Sequence, residues 1–214
     1  WKERLHAHPR GQELLRWLNG DLTDALEAVQ WPTFPEGQSL ATRKASAACL
    51  KAIVKAIPNM LGGSADLSGS NGTNLGLEAL SKRTFADCGA IHFGVREHAM
   101  AALCNGIALH GGLIPYCATF LVFHDYMHPS VRLSCLMGQR VQYIYTHDSI
   151  FLGEDGPTHQ PIETLCALRA IPGMRVFRPA DANETALCWK AALSHDSGPS
   201  AMILTRQGLP NLPT

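Results

Sequence analysis

The stretch Ile91-His92-Phe93-Gly94-Val95-Arg96-Glu97-His98-Ala99-Met100 does most to restrict the folds open to this chain. Its apolar, β-branched and aromatic start reads as a strand, the glycine breaks it, and residues 97–109 continue with good helix formers whose apolar positions recur at helical spacing. A strand feeding a helix is the repeating unit of α/β folds, whose ligands bind beyond the carboxyl ends of the strands. Glu97 therefore stands where a carboxylate can act on a ligand. It also stands where an acid complements the positive end of a helix, and on this stretch alone both readings are open.

The same switch recurs along the chain. Over 42–57, Ala45, Cys49, Leu50, Ile53, Val54 and Ile57 share one face and Pro58 follows, which predicts a helix with a defined stop. A strand from residue 60 runs into a loop of small residues reaching Asn74, where backbone amides can approach a ligand closely. Further strands are predicted over 112–117, 140–146, 174–177 and 201–204, and helices over 131–136, 164–170 and 182–193. After the third strand, over 112–117, Phe120, Phe123 and Tyr126 fall three apart in a loop or first helical turn, the spacing of aromatics that share a helical face in a core. The alternation predicts an α/β fold, a doubly wound, mainly parallel sheet with helices on both faces.

Residues 1–30 carry Leu14, Leu15, Leu18, Leu22, Leu26 and Val29 at helical intervals, so one or two amphipathic helices are expected, broken near Asn19-Gly20-Asp21. The prolines and glycine of Trp31-Pro32-Thr33-Phe34-Pro35-Glu36-Gly37 read as a linker. Residues 1–38 are thus expected to form a helical interdomain arm, and residues 39–214 one compact domain.

Equal numbers of basic and acidic residues, 18 of each, leave no nucleic-acid footprint and no polybasic membrane segment. No apolar run approaches the roughly 20 residues that span a bilayer, and the N-terminus lacks a signal-peptide pattern. The seven cysteines include no Cys-x-x-Cys pair, which fits free thiols in a reducing, cytoplasmic setting. Small molecules or proteins are the expected partners, with no nucleic acid and no membrane. The chain lacks an initiating Met, and its abrupt ends suggest a piece of a longer polypeptide.

After the strand over 140–146 comes a loop with His147, Asp148, Glu154, Asp155 and His159, and so many ionisable groups at a strand's carboxyl end point to function. Zinc is weakly supported, because the spacing is not His-Glu-x-x-His and no cysteine is near. Asp155-Gly156 with Asn183 superficially resembles a Gly-Asp-Gly…Asn pattern for Mg²⁺ and diphosphate, but Glu154 replaces the first glycine and the flanks are wrong. P-loop, G-x-S-x-G and G-x-G-x-x-G patterns are absent from the sequence. Arg43, Ser70 and Arg206 each fall at an element end on the side of the crevice, a set suited to a phosphate monoester.

Leu40-Ala41-Thr42-Arg43-Lys44, Gly62-Gly63-Ser64-Ala65-Asp66-Leu67, residues 94–100, Thr146-His147-Asp148-Ser149-Ile150, residues 153–161 and Arg178-Pro179-Ala180-Asp181 together resemble transketolase, specifically its central pyrimidine-binding domain, from about Leu40 to Pro210. The resemblance implies thiamine diphosphate, with Glu97 hydrogen-bonding the N1′ nitrogen of the aminopyrimidine as the catalytic group. Phe120, Phe123 and Tyr126 match the aromatic pocket around that ring, and Asp66 a residue near the cofactor at the subunit interface. His147 and Asp155 match contacts to sugar hydroxyls, while Arg43, Ser70, His159 and Arg206 match the group that binds the sugar phosphate. Ser68-Gly69-Ser70 departs from a threonine-proline version of that loop. No metal ligand is assigned in this chain, since Mg²⁺ belongs to the diphosphate-binding domain. That domain has no counterpart here and is expected from the same or a partner chain, most simply in a homodimer. Alone, the chain is expected to be inactive. The alternatives are a non-catalytic dimerisation or binding module of the same fold, and part of a dihydroxyacetone synthase.

Overall fold

The computed structural model describes residues 1–80 and 89–213, so Cys88 lies outside the described residues. The N-terminal segment forms α1 (Lys2–Ala7), α2 (Gly11–Leu18) and α3 (Thr23–Ala28). The break at residues 19–21 falls where expected, and a second one precedes it at Pro9. A residue before proline is pushed out of the helical region, and His8 is extended at φ −78° and ψ 136°. Then follow β1 (Ser39–Leu40), α4 (Thr42–Ala56), β2 (Met60–Ser64), the short α5 (Ser68–Asn71), β3 (Ala90–His92), α6 (Glu97–His110) and β4 (Ile114–Phe120). A 3₁₀ turn at Leu121–Phe123 leads into α7 (His124–Leu136), β5 (Gln142–Thr146), α8 (Thr164–Arg169), β6 (Arg175–Phe177), α9 (Ala182–Ser194), β7 (Ser200–Ile203) and β8 (Leu209–Pro210).

Six strands form one parallel sheet in the order β3-β2-β4-β5-β7-β6, so every strand ends at the same edge. Every residue of β4 and β5 is buried, the mark of a parallel sheet covered on both faces. Alternation along the strands sorts the core into two layers. Tyr116, Ala118, Ile144 and Met202 face Leu50, Ile53 and Trp189 from α4 and α9, with Leu22 and Val29 of the N-terminal segment in the same cluster. Cys117, Tyr143, Tyr145 and Ile203 face Met100, Cys104, Met127, Val131 and Leu168 on the other side. The doubly wound expectation holds. From β2 the chain goes outward to β3, and from β4 it goes the other way to β5, which makes the gap beyond β2 and β4 the switch point where such sheets bind ligands.

Two expectations need correction. The third strand runs over 114–120 and not 112–117, because Gly111 and Gly112 both take left-handed backbone (φ 81° and 83°) and turn the chain before pairing begins. Thr119 and Phe120 are therefore in register with Tyr145 and Thr146, and Phe120 ends a strand instead of sharing a helical face with Phe123 and Tyr126. The antiparallel ribbon of β1 with β8 was also not foreseen, two-residue strands being too short to show a period. Of the described cysteines, Cys49, Cys104 and Cys117 are buried, Cys166 is exposed, and all are free thiols.

Candidate active site

Glu97 opens α6 directly after a tight turn. Gly94 takes φ 69°, and Arg96 closes the turn by donating from Nη1 to the Phe93 carbonyl at 3.0 Å. This places the Glu97 side chain under the helix start with only 8% of it exposed and with no hydrogen bond or ion pair to another described residue. The residue is largely enclosed but lines a cavity, where a ligand group can reach its carboxyl. Glu97 lines an open cavity of about 580 Å³ with Ala65, Asp66, Leu67, Val95, Phe123 and Tyr126. The cavity lies at the switch point, between the turn after β2 and the turn after β4. Phe123 and Tyr126 stack with ring centroids 5.9 Å apart, and Phe120 stacks on Phe123 at 5.8 Å. Asp66 holds φ 60°, a conformation rare for a residue with a side chain and typical of functional turns.

The cationic residues collect beside this cavity through a device the sequence shows only as a repeated Thr-Arg dipeptide. The buried Thr42 and Thr205 exchange hydrogen bonds, backbone Thr42 N–H to Thr205 Oγ1 at 3.0 Å and Thr205 N–H to Thr42 Oγ1 at 2.8 Å. The start of α4 is thereby clamped to the chain leaving β7, and Arg43 and Arg206 come close enough to repel. Burial, followed by the Arg206 charge, lowers the Arg43 pKa, and Asp155 opposes this. Arg43 Nη1 donates to the Ser70 carbonyl at 2.7 Å, while its buried Nε has no partner among the described residues.

His147 directly follows β5 at φ 57° and is 3% exposed, its Nε2 3.9 Å from Asp155 Oδ2. Burial first, and then the Arg43 charge, push its pKa down to about 4, so the imidazole is neutral at physiological pH. The Phe120 ring stacks on it at 3.6 Å, and Phe120 is not among the residues lining the Glu97 cavity. His159 joins the two halves of the site, packing edge-on against Phe123 at 5.4 Å and Phe120 at 6.2 Å. Glu97, Asp66, Phe123 and Tyr126 thus line one cavity, Phe120, His147 and His159 connect to it through ring contacts, and Arg43, Asp155 and Arg206 lie within charge range of His147.

Two partners were not anticipated. Glu154 accepts from Arg206 Nη2 at 2.6 Å, and Arg178 binds Asp148 Oδ2 through Nε at 3.0 Å and Nη2 at 2.8 Å. These pairs engage two acids of the 147–161 loop. Among the described residues no group of three or more His, Cys, Asp or Glu is arranged to hold a metal ion.

A parallel α/β domain with a carboxyl group and stacked aromatic rings lining a cavity at its switch point is of the class that can clasp a flat nitrogen heterocycle. Residues 38–211 match the family described as transketolase, pyrimidine binding domain, and the chain belongs to that family. It is 50% identical to transketolase 2 of Xanthobacter flavus over 223 residues, covering 100% of this chain and 32% of that protein. The solved transketolase of Pichia stipitis in complex with sedoheptulose-7-phosphate superposes with a TM-score of 0.92 at 43% identity, covering 99% of this chain and 33% of that one. A split-gene transketolase, described as an inactive β4 tetramer, superposes with a TM-score of 0.66 at 28% identity over 83% of this chain and 55% of its own. The chain spans about a third of the length of the curated relatives it matches.

Proposed function

We propose that this chain is the pyrimidine-binding part of a transketolase, which moves a two-carbon ketol unit from a ketose phosphate to an aldose phosphate. Glu97, largely enclosed, without a partner among the described residues and lining the cavity beside the Phe123–Tyr126 stack, carries this reading, since it is the environment an aminopyrimidine would complete. Thiamine diphosphate, when bound, supplies a carbon nucleophile that attacks the ketose carbonyl. Glu97 meets the pyrimidine through a hydrogen bond at a ring nitrogen and there holds the proton that the ring needs. Phe123, with Tyr126, stacks against the ring and keeps water from it, Phe120 backs Phe123 from the His147 side, and Asp66 closes the cavity at the subunit interface.

Arg43, Ser70, His159 and Arg206 bind the sugar phosphate, and His147 with Asp155 binds the sugar hydroxyls. A phosphate must displace Glu154 from Arg206, an exchange of one exposed anion for a doubly charged one. The sugar phosphate bound by the Pichia stipitis relative supports this substrate class. The diphosphate-binding domain and its Mg²⁺ come from the same or a partner chain, in a cytoplasmic homodimer. By itself this chain is inactive, residues 1–38 serve as the interdomain arm, and residues 39–214 form the domain.

The test combines this chain with a diphosphate-binding domain and follows cofactor-dependent transfer from a ketose phosphate. Transfer is expected, with a loss of about 100-fold or more in Glu97→Gln, the scale of general acid–base contributions. Absence of transfer alongside tight dimerisation would favour a non-catalytic module, and full activity in Glu97→Gln would sink the assignment.

A further inference from the structure

Far from the crevice, at the foot of the sheet, two polar side chains stand next to each other in the core without touching. Gln142 opens β5 and Ser200 opens β7, and they are register partners in adjacent parallel strands, whose backbones run about 4.8 Å apart. Gln142 points to the same side as Ile144 and Ser200 to the same side as Met202, into the layer covered by α4 and α9. Both residues are 0% exposed, and Gln142 Oε1, Gln142 Nε2 and Ser200 Oγ have no hydrogen-bond partner among the described residues, each other included. Arg140, two residues before Gln142, reaches into the same layer, where its guanidinium donates to the carbonyls of Gly20 and Leu193. Its buried Nε is likewise without a partner among the described residues.

Buried polar atoms in folded proteins are paired with protein or with ordered water, because an unpaired one carries its whole desolvation cost. The chemistry of these four atoms restricts what can pair them. Arg140 Nε and the Gln142 amide nitrogen only donate, Gln142 Oε1 only accepts, and Ser200 Oγ does either. A cation would be repelled by the guanidinium and would face donors. A halide would take the donors but leave Oε1 against a negative charge, and an apolar group would pair none of them. Turning Gln142 onto Ser200 would satisfy one end of the amide and leave the other end and Arg140 Nε as they are. Water both gives and accepts hydrogen bonds, and a buried molecule typically makes about three.

We propose that Gln142, Ser200 and Arg140 form an internal water site between the sheet and α9, holding at least one ordered molecule that bridges the Gln142 amide to Ser200 Oγ. The site joins the starts of β5 and β7 to the guanidinium that fastens Gly20 of the N-terminal segment and the last turn of α9. Gln142 and Ser200 are coupled through the shared water, so that removing one is felt by the other although the two side chains do not touch.

Two measurements on the full chain test this. An atomic-resolution crystal structure, with a second crystal soaked in bromide, should show water density within about 2.7–3.2 Å of both the Gln142 amide and Ser200 Oγ, and no bromide signal there. Equilibrium unfolding of Gln142→Met, which keeps the length of the side chain, of Ser200→Ala and of the double variant reads the coupling. Each single change should raise the unfolding equilibrium constant about fivefold, the worth of one neutral hydrogen bond, by stranding the group that remains. The double variant should regain most of that loss, since the stranded group is then gone as well. A direct Gln142–Ser200 hydrogen bond in the crystal, a site without density or a bromide peak overturns the proposal. So do losses that simply add in the double variant, or a Gln142→Met chain more stable than the native one, the result expected of an amide that has no partner to lose.

Discussion

Glu97 and His147 are both buried at the carboxyl edge of the sheet, but different forces hold them. Glu97 has no partner among the described residues, and its position comes from the Gly94 turn and the helix it starts. His147 is bound at Nδ1, stacked on Phe120 and kept neutral, its pKa lowered from 6.5 to about 4 by burial and by Arg43. Where the folded-state pKa is depressed, the unfolded chain takes up its proton first as the pH falls. The stability due to neutral His147 is therefore complete above pH 6.5, drains away between 6.5 and about 4, and changes no further below that. Denaturant unfolding across this window should show stability falling with pH, and His147→Gln should lower the slope by up to about 1.4 kcal/mol per pH unit, the weight of one proton. An unchanged slope in the variant would mean that His147 titrates normally in the folded protein. His124, buried against Tyr145 and His128 with a pKa also near 4, adds to the same slope and remains in that variant as an internal reference.

Among the elements, β2 shows how closely sequence and packing are tied. Its Gly62-Gly63 pair weakens a strand on propensity grounds, yet it lies between β3 and β4. A Cβ at Gly62 would run into the Tyr116 backbone, and one at Gly63 into the Ile91 carbonyl. β4 is buried along its whole length and cannot retreat, whereas β3 stands at the edge of the sheet and is only partly buried. Gly62→Ala should therefore destabilise by about 3 kcal/mol or more, beyond the usual overpacking range, and equilibrium unfolding would reveal it. A cost below about 1 kcal/mol would show that β4 is free to move.

The strands themselves were legible because β-branched and aromatic runs such as residues 140–146 bury both faces, and the helices because α4 and α9 keep one apolar face. What escaped depends on tertiary pairing. The end of β4 is set by its register with β5, which puts Phe120 on His147 rather than on a helical face. The motifs named Arg43 and Arg206 separately, while the Thr42–Thr205 clamp that unites them spans 163 residues and leaves no periodic trace. The left-handed backbone of Asp66 and His147 is equally invisible in residue types that do not require it. Glu154 was legible as one acid among several, but its partner Arg206 was not.

For the molecule as a whole, the open question is how the first 38 residues relate to the rest. An arm that only links domains would leave little behind when removed. Here α1 contributes one buried residue, Leu5, and α2 buries only Gly11, while Leu22 and Val29 on either side of α3 lie in the same cluster as Leu50, Ile53, Ile57 and Trp189. Arg140, at the foot of the sheet, also donates to the Gly20 carbonyl at 2.7 Å. The boundary of stability should then fall inside the segment, between α2 and α3. Removing residues 1–18 should lower the free energy of unfolding by no more than about 1 kcal/mol. Removing residues 1–30 should lower it by about 3–6 kcal/mol, because two large side chains lose their burial and the faces of α4 and α9 beneath them meet water. Urea unfolding of the two truncated forms distinguishes these outcomes, and equal small losses would mean that the whole segment is an independent arm.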